Sequence, residues 1–340
     1  MFAPLALLAQ QKVTGKIIDA TNSTPIVGAT VFIANTTVAT STNASGIYSI
    51  TVPVEGSFDI VVSHISYQRV SRTVDTPKPS HTIDFVLNIN EISEVTVTAK
   101  SNVKESDKIL FWRRLLGKSP SKNGLEVLNP EQIYFFRTRD NVLKVSSNEP
   151  IVIMNHEMGY CILYYLQEFE YKYKEGEAYI LGQPFFEELT PKDTKQKEQW
   201  DKKRKDVYAV SLVRFFRALY HKTTREEGFL LVRADSVKQA RTLFPLDNIL
   251  KFNENTVDVN IKSYLYLGCI NRYISDDAID NTYYTLANTE QGYSAKRVVV
   301  TLLPQEFTIY SDGSYTGSFK ISDPNRSITG LSNTLPLDYK

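Results

Sequence analysis

The segment "VTGKIIDATNSTPIVGATVFI", residues 13–33, decides the fold of the first part of the chain. It contains two runs of alternating apolar residues on either side of the turn-rich cluster "DATNSTP". Val13 and Ile17 share one face of the first run, and in the second run Val31 and Ile33 lie opposite Phe32. Because side chains alternate between the two faces of a strand, each run is typical of a β-strand.

The same pattern continues to residue 99, with turn residues between the runs and no helical period. Seven such strands in about ninety residues predict an antiparallel β-sandwich over residues 11–99. The later strands are predicted in the runs "GIYSITVP", "SFDIVVSH", "YQRVSRTV", "HTIDFVLN" and "EVTVTA".

The order of these motifs, with "TSTNASGIYSI" at 40–50 and "ISEVTVTA" at 92–99 among them, resembles the carboxypeptidase-D regulatory-like domain. That domain is a transthyretin-type sandwich found in front of many Gram-negative envelope proteins, outer-membrane nutrient receptors among them. The resemblance implies an exported protein located in the periplasm or at the outer membrane.

The start of the chain agrees with export. An apolar run from Phe2 to Ala9 stops at Gln10, which is typical of the end of a secretory signal peptide. Residues 1–10 are therefore predicted to be a signal-peptide remnant, and a frayed apolar terminus is the alternative. No later run approaches the ~18 apolar residues of a membrane span, so we expect no span in the mature chain, while peripheral membrane association stays open.

Net charge argues against nucleic acid as a partner. The chain has 39 Lys and Arg against 38 Asp and Glu, a net charge of +1, so no overall field attracts a polyanion. The densest charged run, "KDTKQKEQWDKKRK" at 192–205, mixes both signs. We interpret it as a solvated helical face or linker.

Residues 100–108 are predicted to be a linker, and residues 109–340 an α+β domain that leaves the whole chain mostly β. An amphipathic helix over 109–116 ends at Gly117. "EPIVIMN" predicts a strand, and "YCILYYLQEFEYKY" (160–173) predicts another, with its odd positions apolar and a helix as the alternative. Helical periodicity covers residues 192–222, and the remainder alternates as strands.

His156-Glu157 open a possible zinc-protease motif, H-E-x-x-H. The second ligand position, four residues on, is Tyr160, so the motif lacks a ligand. None of the four histidines has Glu three residues later, as metallocarboxypeptidases require. We expect no metal and no cofactor, and we interpret His156-Glu157 as a strand-to-turn junction in which His156 is a capping or hydrogen-bonding residue.

Other catalytic motifs are also incomplete, so the sequence predicts that the protein is not an enzyme. The chain has no G-x-S-x-G elbow and no glycine-rich nucleotide loop. Cys161 lies in an aromatic stretch, where a thiol is usually inert. With Cys269 it forms either a bridge or a pair of separate buried thiols. Adjacent acids such as Glu187-Glu188 and Asp276-Asp277 are typical of solvated loops.

The second domain resembles the uncharacterised region that follows the regulatory-like domain in a family of exported proteins. Where that family has glycine and histidine, this chain has Val210 and Arg214, and the closing "LPLDY" at 335–339 also fits. The resemblance implies no established activity. It makes six positions candidates for binding: Asn155, Gly159, Tyr160, Tyr208, Ser211 and Arg217. Phe215, Leu219, Gly228 and Phe229 also match.

The function hypothesis is a non-catalytic envelope protein. The sandwich is a stalk or docking module, and the second domain binds a protein partner or a glycan. Twenty Tyr and seventeen Phe allow stacking on sugars or a Tyr-rich interface, although packing in the core and in hairpins is the better explanation for most of them. The alternatives are an envelope hydrolase with a glycosidase-like carboxylate site, or an accessory partner of an outer-membrane transporter. A deep pocket with two acids about 5 to 10 Å apart favours hydrolysis, and a flat aromatic patch favours binding.

Overall fold

A computed structural model describes most of the chain. The described residues are 11–52, 56–75, 81–90, 103–121, 124–233, 245–269, 298–317, 319, 321–322 and 329–339.

The front of the chain is a β-sandwich, as predicted. One sheet places β1 between β4 and the pair β7 and β8, and the other has the order β3-β2-β5-β6. Their inward side chains form one core that includes Val13, Val31 and Phe85. The eight strands are β1 (Gln11–Asp19), β2 (Thr30–Ile33), β3 (Ala39–Ser41), β4 (Ile47–Val52), β5 (Ser57–His64), β6 (Tyr67–Asp75), β7 (His81–Thr82) and β8 (Phe85–Leu87).

The sandwich differs from the prediction in three details. Strands β7 and β8 pair with β1 in parallel, so the first sheet is mixed rather than wholly antiparallel. They are separate because the run "HTIDFVLN" is interrupted at Ile83 and Asp84. Strand β3 is only three residues long, too short to show an alternation in the sequence. The predicted strand "EVTVTA" lies outside the described residues.

Helix α1 (Glu105–Leu116) opens the second part of the chain and buries Phe111, Leu115 and Leu116. It ends at Gly117, which has a φ of 84°, in the left-handed conformation that glycine adopts readily. The helix begins within the segment predicted as a linker, because the Asp107 carboxylate accepts a hydrogen bond from the Lys104 amide there, at 2.8 Å.

A six-stranded antiparallel sheet packs against α1. Its order is β10-β11-β13-β12-β9, and β14 pairs along β13. The strands are β9 (Leu125–Val127), β10 (Ile133–Arg137), β11 (Val142–Ser147), β12 (Ile151–Asn155), β13 (Tyr160–Lys172) and β14 (Glu177–Glu188).

Strand β13 confirms the strand prediction for residues 160–173 and corrects its facing. The pairing with β14 shifts between Leu166 and Glu168, so a β-bulge changes which positions point to each side. Phe169 packs in the core shared with α1, whereas Tyr165 packs in a different cluster on the opposite side. The odd positions therefore do not share one face along the whole strand.

Two helices follow, α2 (Thr194–Tyr208) and α3 (Leu212–Tyr220). They are separate because Ser211 accepts a hydrogen bond from the Arg214 amide and begins a new helix. Helix α3 packs on two four-stranded sheets, which share a second core. Their strands are β15 (Phe229–Arg233), β16 (Leu250–Phe252), β17 (Val257–Ile261), β18 (Leu265–Cys269), β19 (Val298–Leu302), β20 (Gln305–Ile309), β21 (Tyr315–Gly317) and β22 (Ile321–Ser322).

None of the helices in the described ranges is long and apolar enough to cross a lipid bilayer.

Candidate binding site

The sandwich packs directly on the β13–β14 hairpin. Phe32 points away from the sandwich core and is fully buried against the hairpin. Its ring centroid lies 4.9 Å from that of Tyr165 and 5.3 Å from that of Phe185. Ala34 and Val61 complete this apolar contact, which we call the junction cluster. Burial of several aromatic rings fixes the two domains against each other.

Hydrogen bonds surround the junction cluster. The amide of Asn35 donates to the Pro184 carbonyl at 2.7 Å, and the Phe186 amide donates to the Thr36 carbonyl at 3.0 Å. The Gln183 side chain donates to Asp59 at 3.0 Å. Backbone groups of both domains are thus satisfied by each other, as in a sheet ladder.

The segment 335–339 contacts both the sandwich and the second domain near the junction cluster. The Leu337 amide donates to the Asn35 carbonyl at 2.7 Å, and Asp338 accepts from the amide and hydroxyl of Thr37. Arg217 on α3 donates to the Leu337 carbonyl at 2.9 Å. One short segment therefore contacts the sandwich and the second domain together.

A cleft of about 610 Å³ lies beside the junction cluster, and both domains line it. The sandwich supplies residues from β5, β6 and the loop between them, and the second domain supplies the 147–150 turn and Tyr165. Clefts at domain interfaces are common places for ligand binding. The polar side chains that line it include Ser63, His64, Gln68, Arg69, Asn90, Asn148 and Glu149.

Arg69 is the principal charged group of this junction cleft. Its guanidinium lies over the Tyr165 ring, 5.0 Å from the centroid, in a cation–π contact. Burial lowers the pKa of Arg69, yet a guanidinium stays protonated at neutral pH. Within the described residues Arg69 has no hydrogen-bond acceptor and no ion-pair partner. Its donors are therefore available to a ligand.

Three of the candidate positions from the sequence meet at the turn between β12 and β13. Buried Asn155 accepts a hydrogen bond from the Met158 amide. Gly159 has a φ of 68° and lies against the Trp200 ring. Tyr160 lies beneath the Arg204 guanidinium, 4.0 Å from its ring centroid, and burial raises the pKa of its phenol.

Arg204, which the sequence did not single out, holds this turn to α2. It donates to the carbonyls of Met158 and Gly159 at 2.7 and 3.1 Å and pairs with Glu188 at 3.1 Å. The lysine-rich run in which it lies gave no signal that one of its cations is buried.

The other three candidates lie around α3. Arg217 donates to the Tyr208 hydroxyl at 2.9 Å, to the Asp312 carbonyl at 2.7 Å and to Leu337. Ser211 is the N-cap of the helix. Arg214 pairs with Glu227 and lies over Phe229. Each of the three guanidinium nitrogens of Arg217 thus donates a hydrogen bond within the protein.

The His156-Glu157 interpretation is confirmed. Strand β12 ends at Asn155, and His156 Nε2 lies 3.2 Å from a Glu126 carboxylate oxygen. Burial acts to raise the pKa of Glu157, but the ammonium groups of Lys118 and Lys203 outweigh it and the net pKa is lowered. No cluster of three or more metal-ligating side chains occurs in the part of the chain that the structure describes.

A second cavity, of about 590 Å³, contains two acids on neighbouring strands, Asp258 and Glu306. Hydrogen bonds from Asn253 and Thr308 lower the pKa of Asp258, and Asn260 donates to Glu306. Of the acid pairs noted in the sequence, Glu188 binds Arg204, and Asp276-Asp277 lie outside the described residues.

The outer face of the six-stranded sheet carries exposed aromatic rings. Pairing across four strands places Phe136, Lys144, Glu170 and Tyr179 in one row. Phe136 is 46% exposed and Tyr179 is 54% exposed, and Lys144 forms an ion pair with Glu170 between them. This row is a flat surface rather than a pocket.

Both cysteines are buried, and neither forms a disulfide. Cys269 lies in the core around α3 and donates to the Ala209 carbonyl at 3.3 Å, while burial raises the pKa of Cys161 on β13. Of the two possibilities left by the sequence, the structure has separate thiols.

Residues 13–97 match the model of the CarboxypepD_reg-like domain family. No curated protein matches the sequence. The family match covers the sandwich and leaves the second domain without an assigned family.

Several solved structures are similar to parts of the chain. A cohesin–X-dockerin complex from Acetivibrio cellulolyticus is 18% identical, with 23% of this chain and 56% of that chain covered and a TM-score of 0.21. A group B streptococcus pilus 2b backbone protein is 18% identical, with coverage of 24% and 41% and a TM-score of 0.21. A putative membrane-associated protein of unknown function from Bacteroides fragilis is 17% identical, with coverage of 46% and 64% and a TM-score of 0.19. This chain therefore spans less than two thirds of each of these structures.

Proposed function

We propose that this protein, whose front domain is a CarboxypepD_reg-like sandwich, is a non-catalytic binding protein of the cell envelope that takes its ligand in the junction cleft. The observation that carries the proposal is the direct packing of Phe32 on Tyr165 and Phe185, beside a cleft that both domains line. A sandwich held in this way is a docked part of the binding unit rather than a flexible stalk.

Asp258 in the second cavity does not have the properties of a glycosidase proton donor. A glycosidase needs one carboxylic acid with a raised pKa as its proton donor. Asp258 has a lowered pKa, which keeps it ionised. The exposed aromatic row on the six-stranded sheet also fits a binding surface, since flat aromatic faces stack on sugars and protein partners. A role as accessory partner of an outer-membrane transporter stays a prediction, because it depends only on the resemblance of the front domain to a domain that also occurs in outer-membrane nutrient receptors.

We further infer that the six family-motif positions form the frame of the second domain rather than its ligand site. Arg217 directs all of its observed hydrogen bonds to protein groups, and Gly159 is covered by Trp200. Their role is to fix α2, α3 and the segment 335–339 to the rest of the second domain.

Site-specific crosslinking tests the proposed function. A photo-crosslinking residue is placed at exposed Asn148 in the cleft, and a control is placed at exposed Lys202 on α2. In the envelope of the source cell, we expect position 148 to capture one dominant species that position 202 does not. Capture of the same species at both positions, or of none at 148, would contradict a ligand site in this cleft.

A further inference from the structure

The chemistry of the junction cleft identifies a class of ligand, an inference that rests on the proposed function. Arg69 presents a planar fork of N–H donors, the geometry that pairs with a carboxylate through two parallel hydrogen bonds. The Tyr165 ring beneath it is only 5% exposed and belongs to the junction cluster. This support holds the guanidinium in place, which reduces the entropy lost when a ligand binds.

The polar side chains around Arg69 can form hydrogen bonds with the hydroxyl groups of a sugar. Gln68, Asn90 and Asn148 are exposed in the cleft, and their side chains make no hydrogen bonds to other described residues. Thr30 adds a hydroxyl group. Amides and hydroxyls both donate and accept hydrogen bonds, as a sugar ring requires. The apolar residues of the lining are few, so it offers little to the side chains of a peptide.

Two other polar side chains near Arg69 already form hydrogen bonds within the protein. The Tyr67 hydroxyl donates to Asp19 at 2.8 Å, and His64 Nδ1 accepts from the Ser66 amide at 3.2 Å. These bonds fix the wall of the cleft and leave Arg69 as its available cation among the described residues. Glu149, in the 147–150 turn of the second domain, also lines the cleft, where its carboxylate suits sugar hydroxyls and repels a second acid group.

We propose that the junction cleft binds an acidic saccharide, with the Arg69 guanidinium paired to the sugar carboxylate and the Tyr165 ring supporting that guanidinium from below.

Calorimetry on the full chain tests this proposal with three probes: galacturonic acid oligomers, neutral galactose oligomers of the same length, and a short neutral peptide with a free C-terminal carboxylate. We expect the acidic oligomer to bind well above both other probes. Arg69→Gln should weaken its binding about 10- to 100-fold, the value of a charge-assisted bidentate contact. Arg69→Lys should bind with intermediate affinity, because it keeps the charge and loses the fork.

Two further variants sharpen the result. Arg72→Gln is the matched control, since Arg72 lies on the same strand but over the Phe85 ring, and its affinity should equal that of the wild type. Glu149→Gln should tighten binding of the acidic oligomer about threefold by removal of a like charge. Circular dichroism confirms that each variant is folded.

Equal binding of acidic and neutral oligomers, or unchanged affinity in Arg69→Gln, would overturn the acidic-saccharide assignment. Preference for the peptide would overturn it as well. If the galacturonic acid oligomers do not bind, glucuronic and sialic acid are measured as further acidic probes, and failure of all three would also overturn the assignment. In these cases a species captured specifically at position 148 would still support the proposed function, so the two proposals fail separately.

Discussion

Gly159 combines two constraints at one position. Its φ of 68° is unfavourable for any residue with a Cβ, and an added Cβ would lie 2.2 Å from the Trp200 ring. We expect Gly159→Ala to lower the free energy of unfolding by about 2–4 kcal/mol, from backbone strain together with overpacking. Urea denaturation measures this change.

Gly176→Ala provides the matched control. Gly176 has a φ of 71° and nothing within 4 Å of an added Cβ, so it isolates the backbone contribution of about 1 kcal/mol. Equal losses in the two variants would show that the contact with Trp200 contributes nothing.

Asp312 introduces a pH dependence of stability. Burial raises the pKa of its carboxyl despite hydrogen bonds from Ser314, and its Oδ2 has no partner among the described residues. The folded protein thus holds this proton more tightly than the unfolded chain. The contribution is favourable at low pH and is lost as pH rises from about 4, the unfolded pKa, through the raised folded pKa.

We expect Asp312→Asn to remove this loss, so that its stability relative to the wild type increases as pH rises above about 4. Urea denaturation at unit steps from pH 4 to 7 measures the difference, with Asp247→Asn as the control for loss of an exposed charge. A difference that is constant across this range would refute a raised pKa for Asp312.

Substitution of Arg217 tests whether the family-motif positions maintain the fold of the second domain or bind a ligand. Arg217→Lys keeps the charge and loses most of the hydrogen bonds to Tyr208, Asp312 and Leu337. We expect a loss of about 2–3 kcal/mol in unfolding free energy and unchanged affinity for cleft ligands. Normal stability with lost ligand binding would assign Arg217 to the ligand site instead.

The contact between strand β2 and the β13–β14 hairpin determines whether the sandwich unfolds with the rest of the chain. Phe32→Ala removes the central ring of the junction cluster, and we expect a loss of about 3–5 kcal/mol. Because the lost contact joins the domains, calorimetry should show two separate transitions where the wild type shows one. Val31→Ala, in the sandwich core, should lower the transition temperature but keep a single transition.

Local sequence patterns were sufficient to predict the longer strands but not to predict what covers each face of a strand. Alternation predicted β1, β2 and β13, because a half-buried strand has a period of two in any fold. It did not predict that Phe32 is buried, because the rings that cover Phe32 belong to residues 165 and 185, which are distant in the sequence. The continuous run "YCILYYL" has the same cause, with one face of β13 in its own core and the other against the sandwich.

The cleft could not be predicted either. Arg69 lies in the run "YQRVSRTV", where an arginine on an outer strand face looks like any solvated charge. Its position over Tyr165 depends on packing between residues almost a hundred positions apart. The six candidate positions came from a family pattern, and such patterns include residues that maintain a fold as well as those that bind ligands.

Cys161 and Cys269 lie in separate parts of the molecule, so a test for a disulfide between them is a test of the whole fold. Neither forms a disulfide, so we expect dithiothreitol to leave the midpoint of urea unfolding unchanged. Both should react with Ellman's reagent only after unfolding, since burial protects each one. A midpoint that falls in dithiothreitol would instead reveal a bridge.

The junction has a consequence for the order in which the chain folds. The sandwich leaves the ribosome before the second domain and has its own core. The hairpin that covers Phe32 follows more than a hundred residues after it, and Asp338 pairs with Thr37 across 301 positions. Newly made sandwich therefore displays an uncovered aromatic side chain until the second domain arrives. We expect this interval to be the period in which the nascent protein most needs a chaperone.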